Sequence, residues 1–103
     1  MKKHAATIVL FSQGGRNSDY LTDWARLQLL NADAQMEFGC EIRSIDNSIL
    51  TLGKQLRVEI GFFNEVESIP FVKKNAKFRL FEGSRHIGNG IWGESIAQNP
   101  LNK

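Results

Sequence analysis

Phe78-Arg79-Leu80-Phe81-Glu82-Gly83-Ser84-Arg85-His86-Ile87-Gly88-Asn89-Gly90-Ile91-Trp92 is the stretch whose reading decides the fold. Phe78 and Leu80 alternate with Lys77, Arg79 and Phe81, the period of two that turns one side of an extended strand toward a core. Glu82-Gly83-Ser84-Arg85 has the composition of a hairpin turn, and Ile87 to Trp92 returns as a glycine-rich strand. Glycines inside a strand, here Gly88 and Gly90, mark a bend, a bulge or a close approach of backbone.

Outward from this hairpin the same period recurs. Leu56, Val58, Ile60 and Phe62 alternate with Arg57, Glu59 and Gly61, after a turn at Gly53-Lys54. Met36, Phe38, Cys40 and Ile42 alternate with Glu37, Gly39, Glu41 and Arg43, and Asp46-Asn47-Ser48 supplies turn chemistry. Ala6 to Phe11 is a short, apolar, β-branched run that reads as a buried strand ended by Gly14-Gly15. One segment disagrees. Ser18 to Leu30 carries a helix N-cap residue, and Tyr20, Trp24 and Leu27 fall at helical spacing, although Gln28 interrupts the apolar stripe. Local propensity there predicts a helix. Elsewhere, short strands between turns predict a small β-barrel or sandwich.

Size and composition set the bounds. A chain of 103 residues, 42% hydrophobic and 23% charged, has the composition of a single globular domain and excludes a large two-domain enzyme. One cysteine, Cys40, excludes an intrachain disulfide, and Cys40, His4 and His86 are too scattered for a zinc site, so no metal or cofactor is expected. Met1-Lys2-Lys3 reads as a natural start. The apolar run Ala5 to Phe11 is short for a secretory signal and lacks the A-x-A cleavage pattern, which favours a first core strand. No apolar run approaches the roughly 20 residues that span a bilayer. The expectation is a cytoplasmic protein with no membrane partner. Residues 97–103, with Asn99-Pro100, are expected to form a flexible tail.

Net charge is +2, but its distribution is uneven. Residues 19–46 hold Asp19, Asp23, Asp33, Glu37, Glu41 and Asp46 against Arg26 and Arg43. Residues 73–85 hold Lys73, Lys74, Lys77, Arg79 and Arg85 against Glu82. This basic run is either a solvated surface or a patch that faces phosphates or an acidic partner. Phe62, Phe63, Phe71, Phe78, Phe81 and Trp92 interleave with it; core packing accounts for most of them, and base stacking is the alternative.

Catalytic patterns are missing from the sequence. Gly14-Gly15-Arg16 is too short for a P-loop and lacks the Gly-Lys-Ser/Thr ending. Ser84 lacks the flanking glycines of a nucleophile elbow. His86 stands beside Arg85 and has no sequence-local acid–base partner, which favours a structural or surface role. Glu65 and Glu67 read as a solvated strand end rather than a catalytic pair. The chain is expected not to be an enzyme.

The hairpin quoted above resembles the closing hairpin of translation elongation factor Tu, whose pattern runs F-x-[IL]-x-E-G-G-R-T-[VI]-G-x-G-[VI]-[VI]. His4 to Ser12 followed by Gly14-Gly15-Arg16 is similar to the first strand and Gly-Gly-Arg turn of that family's C-terminal, third domain. Arg26-Leu27-Gln28 resembles its Arg-Pro-Gln, Gly53 to Ile60 its Gly-Asp-Asn strand, and Ile69-Pro70 a proline before the closing hairpin. The resemblance spans about residues 4–96. It implies an all-β antiparallel Greek-key barrel of about six strands. It therefore turns Arg26 to Leu30 into a strand and leaves a helical turn at residues 19–24. It also implies contact with the T-stem of tRNA through Arg16, Gln28 and Gly83, with Arg85 close by, and no GTPase within this chain. Ser84 and His86 replace the family's second glycine and threonine, and Ile69 stands where the family has a lysine. Two roles follow: binding of tRNA or a translation-related protein, or a protein-interaction or immunity-type module that mimics or competes with an elongation factor surface.

Overall fold

The structure, a computed structural model, describes residues 2–32 and 36–93. The alternating segments become strands β1 (His4–Leu10), β2 (Trp24–Asn31), β3 (Glu37–Ser44), β4 (Gln55–Phe62), β5 (Lys77–Glu82) and β6 (Arg85–Trp92). They close into one barrel in the order β1-β4-β3-β2-β5-β6, with every neighbouring pair antiparallel. Strands β2, β3 and β4 follow one another as a meander, and β1 lies back beside β4. This is the Greek-key arrangement. A short helix α1 (Glu65–Ser68) and a 3-10 turn (Ile69–Phe71) carry the chain from β4 to β5.

The inward set is the one the alternation singles out. Leu56, Val58, Ile60 and Phe62 of β4 meet Phe38, Cys40 and Ile42 of β3 and Ala6, Ile8 and Leu10 of β1 in one core. Met36 is the exception: it precedes β3 and stays exposed. Burial pushes the Cys40 thiol up to about 12, so it is an apolar filler rather than a nucleophile. In the β3–β4 loop, Asp46 Oδ1 accepts from Ser44 Oγ at 2.7 Å, from Ser48 Oγ at 2.6 Å and from Ser48 N–H at 3.1 Å. These bonds from Ser48 and Ser44 hold the Asp46 carboxyl down to about 2.

The helix expected from local propensity does not form. Ala25, Leu27, Leu29 and Asn31 are buried, while Trp24, Arg26, Gln28 and Leu30 face outward, which is the period of a strand. β2 pairs with β3 from Trp24↔Arg43 to Leu30↔Glu37 and with β5 from Gln28↔Phe81 to Asn31↔Phe78. Two ladders of backbone hydrogen bonds outweigh a helical preference of a few tenths of a kcal/mol per residue, about 0.7 at most for ordinary residues. Nor is there a helical turn at 19–24. Tyr20 N–H donates to the Leu50 carbonyl, Leu50 N–H donates to the Thr22 carbonyl, and Leu52 N–H donates to Asp19 Oδ1. Those long-range bonds hold the segment as an irregular loop.

Glu65 and Glu67 also differ from expectation, because they sit in α1 rather than at a strand end. Asn64 caps this helix through its side chain. Glu65 Oε1 lies 2.6 Å from His4 Nε2, which ties α1 to the first residue of β1. The proposed tail at 97–103 and the last three residues of the proposed 4–96 barrel lie outside the described residues. Among the described residues no helix is long and apolar enough to cross a membrane.

The glycines of β6 have a packing reason. A Cβ at Gly90 would overlap the Phe78 ring, and one at Gly88 would stand 2.6 Å from the Val9 carbonyl oxygen. Phe78 is buried and its ring lies 4.6 Å from that of Trp92. The β5–β6 register shifts between Leu80 and Phe81, the irregularity the glycine-rich strand anticipates. Replacing Gly90 with alanine is expected to lower stability by about 1–3 kcal/mol, the usual result of overpacking a filled core. Urea denaturation measures this, and an unchanged midpoint would contradict the close packing of Phe78.

Candidate functional site

Glu82 ends β5, Arg85 begins β6 opposite it in register, and Gly83-Ser84 form the turn between them. Gly83 has φ 63° whereas Ser84 does not take a positive φ, the pattern of a type II′ hairpin turn with glycine first. A Cβ on Gly83 would meet no atom within 4 Å, so the backbone of this turn is open to solvent.

The loop after β1 comes to this turn. Phe11 N–H donates to the Ile87 carbonyl, and Arg85 Nη1 donates to the Gly15 carbonyl at 3.2 Å. Arg16 Nη1 reaches Glu82 Oε2 at 2.9 Å while its Nε donates to the Ser18 carbonyl. The Tyr20 hydroxyl donates to the same Glu82 oxygen at 2.8 Å, and the Arg16 guanidinium lies 3.6 Å from the centre of the Tyr20 ring. Glu82 is thus a hub that joins two separate parts of the loop to the hairpin. A partly exposed ion pair contributes only about 0.2–1 kcal/mol. Its main effect here is to orient three side chains.

Burial works against the Arg16 charge, but Tyr20 and Glu82 outweigh it and hold the Arg16 pKa above the ordinary arginine value. Burial pushes the Tyr20 hydroxyl up to about 12; Glu82 adds to that shift and Arg16 opposes it.

Gln28 lies across a groove of about 280 Å³ from the same turn. The groove opens where β2 and β5 part: their ladder ends at Gln28↔Phe81, β2 runs on to Trp24, and β5 turns away at Gly83. Arg26, Leu27 and Gln28 of β2 form one bank, and Phe81, Glu82 and Gly83 form the other. Gly39, which pairs with Gln28 from β3, and the Phe63 ring against it line the groove as well.

Arg16, Gln28, Gly83 and Arg85 therefore gather around one hairpin end, although they come from three distant stretches of chain. They are not equivalent. The Arg16 charge is matched by Glu82. By contrast, Arg26, Arg79 and Arg85 have no carboxylate within ion-pair distance among the described residues. Of the basic run, Lys77 and Arg79 stand exposed on the outer wall of β5.

No protein-family model and no curated protein matches this chain.

The six interleaved aromatics divide in two. Phe78, Trp92, Phe62, Phe38 and Phe71 form a chain of ring contacts with centroids 4.6–5.8 Å apart, which accounts for four of the six by packing. Phe81 stacks on His86, centroids 5.0 Å apart. Phe63 is the one left on the surface, 54% exposed. His86 Nε2 lies 2.9 Å from both the Gly88 carbonyl and the Asn89 side-chain oxygen. Its ring also meets Phe11 edge-on, so the imidazole is held as a wedge between strand and loop.

The reading of the sequence did not single out the hub residues Glu82 and Tyr20 or the groove residue Arg26 as sites, and it weighed Phe63 only as one of six aromatics for which base stacking was the alternative to packing. Tyr20 was absorbed by the helical spacing. The signal for Phe63 is legible in retrospect, because period two sends it outward once Phe62 points in.

Tyr20 is the chain's single tyrosine, so its ionisation is directly observable. Ultraviolet titration is expected to give one phenol midpoint near 12, against about 10 for a free tyrosine. A group whose folded pKa is raised stabilises the fold below its unfolded pKa and loses that contribution as pH rises through the folded value. Stability is therefore expected to fall between about pH 10 and 12. A midpoint near 10 would show that Tyr20 is not held against Glu82.

Proposed function

We propose that this chain is a non-catalytic binding module of the elongation factor Tu third-domain type that binds tRNA or another translation component at the β5–β6 hairpin end. The observation that carries this reading is the convergence of Arg16, Gln28, Gly83 and Arg85 around one turn. Arginine guanidinium groups and an open glycine backbone hold phosphate and ribose oxygens without reading bases. Arg85 is the stronger phosphate partner of the two arginines, because Arg16 already satisfies Glu82. The role of Arg16 is to fix the hairpin against the β1 loop.

A specific observation favours a second reading, a protein-interaction or immunity-type module that competes with an elongation factor surface. Trp24 at the start of β2 and Leu21 just before it are exposed, as are Ile45 and Ile49 in the β3–β4 loop that bonds to this segment. Exposed apolar side chains of this kind mark protein contacts when they are contiguous.

Titration of tRNA by fluorescence anisotropy across a range of salt separates the two. The first reading expects salt-sensitive binding, with Arg85→Ala weakening it and lowering the salt slope by about one. Arg16→Ala is expected to weaken binding with a smaller change of slope. Lack of salt-sensitive tRNA binding at micromolar protein, together with capture of one protein partner free of RNA, would support the second reading instead.

A further inference from the structure

The groove between β2 and the β5–β6 turn has a chemistry that phosphate contacts leave unexplained. Phe63 lies against Gly39, where a Cβ would stand 3.2 Å from the ring, and about half of Phe63 is exposed. Glycine at 39 is what lets the aromatic ring lie down on the barrel wall. The Arg26 guanidinium is 5.6 Å from the ring centre and free of any carboxylate among the described residues. Gln28 lies beside them, with its amide nitrogen 4.0 Å from the same Cβ position on Gly39. On the facing bank, Glu82 receives Arg16 and Tyr20 on Oε2, and its Oε1 accepts no hydrogen bond among the described residues.

We infer that this groove seats one unpaired base of a bound RNA, stacked on Phe63, with Arg26 on its phosphate and Gln28 and Glu82 on its edge. Every base has a π-face for the phenyl ring, and base–aromatic stacking is the usual anchor of single-stranded recognition. Glutamate accepts from an exocyclic amine, and glutamine both donates and accepts along a base edge. At about 280 Å³ the groove lies just below the usual range of small-molecule pockets, about 300–1,000 Å³, which suits one base rather than a whole cofactor. This inference rests on the RNA-binding reading given above.

Anisotropy titrations of short labelled oligo(A), oligo(C) and oligo(U), with tRNA alongside, test it on the full chain. All three oligonucleotides are expected to bind, because each base has a face for Phe63 and an N–H for Glu82. Phe63→Ala is expected to weaken oligo(A) binding about tenfold or more, while Phe63→Trp keeps it. Arg26→Ala is expected to lower the salt slope by about one. Equal affinity of the parent chain and Phe63→Ala, with tRNA binding still weakened in Arg85→Ala, overturns the base groove and leaves the wider reading standing. Failure of every RNA to bind overturns the base groove together with the RNA-binding reading it rests on. So does a protein partner whose capture is lost in Phe63→Ala while no RNA competes.

Discussion

The ring of Phe78 occupies the space that a side chain at residue 90 would need, and closure of the barrel depends on it. With glycine there, β5 and β6 approach closely enough for Phe78 to reach Trp92, and Trp92 continues to Phe62 and Phe38. β6 also pairs with β1, so this contact joins the C-terminal hairpin to the strand that holds the meander through β4. A barrel closed in this way leaves no long unpaired edge. Burial of a phenylalanine ring contributes on the order of 1.5–3 kcal/mol. The exposed ion pairs among the described residues each contribute less, about 0.2–1 kcal/mol.

The hairpin that closes the barrel also presents the candidate site, which is why the two share residues. Leu80 points into the core while Glu82, two residues on, gathers Arg16 and Tyr20 from the loop after β1. Rigidity at the base of the turn is inherited by the side chains at its tip. The groove arises from the same geometry: once β5 turns back at Gly83, β2 runs on without it, and the gap between them is walled by Arg26, Gln28 and Glu82. A site on the flank of a closed sheet is held more firmly than one on a free loop.

Strands β3, β4 and β5 were legible because apolar and polar residues alternate along them, and β6 was legible from the hairpin turn before it and the glycines within it. β2 was misleading. Tyr20, Trp24 and Leu27 satisfy a helical spacing, yet Leu27 and Leu29 go to the core on strand spacing. Only its two neighbours, β3 and β5, decide between those patterns, and neither is local in sequence. Glu65 was misread for a related reason: the cap from Asn64 and the contact with His4 are what place it on a helix turn. The four site residues came from motif resemblance, and the structure brings them to one end. Their unequal charges were not legible, because the partner of Arg16 lies 66 residues away in the chain.

The family resemblance implied that the whole domain is β; by itself the sequence pattern determined short strands between turns, the inward and outward faces of most of them, and the hairpin turn at Gly83. Those are local properties: alternation, turn chemistry and the conformational freedom of glycine act over a few residues. Only the tertiary structure decided the strand order, the full extent of the strand at Trp24–Asn31 beyond the expected Arg26 to Leu30, the neutralisation of Arg16 by Glu82 and the groove beside Phe63. Each of these depends on backbone ladders and charges contributed by distant parts of the chain, and such partners leave no trace in the spacing of neighbouring residues.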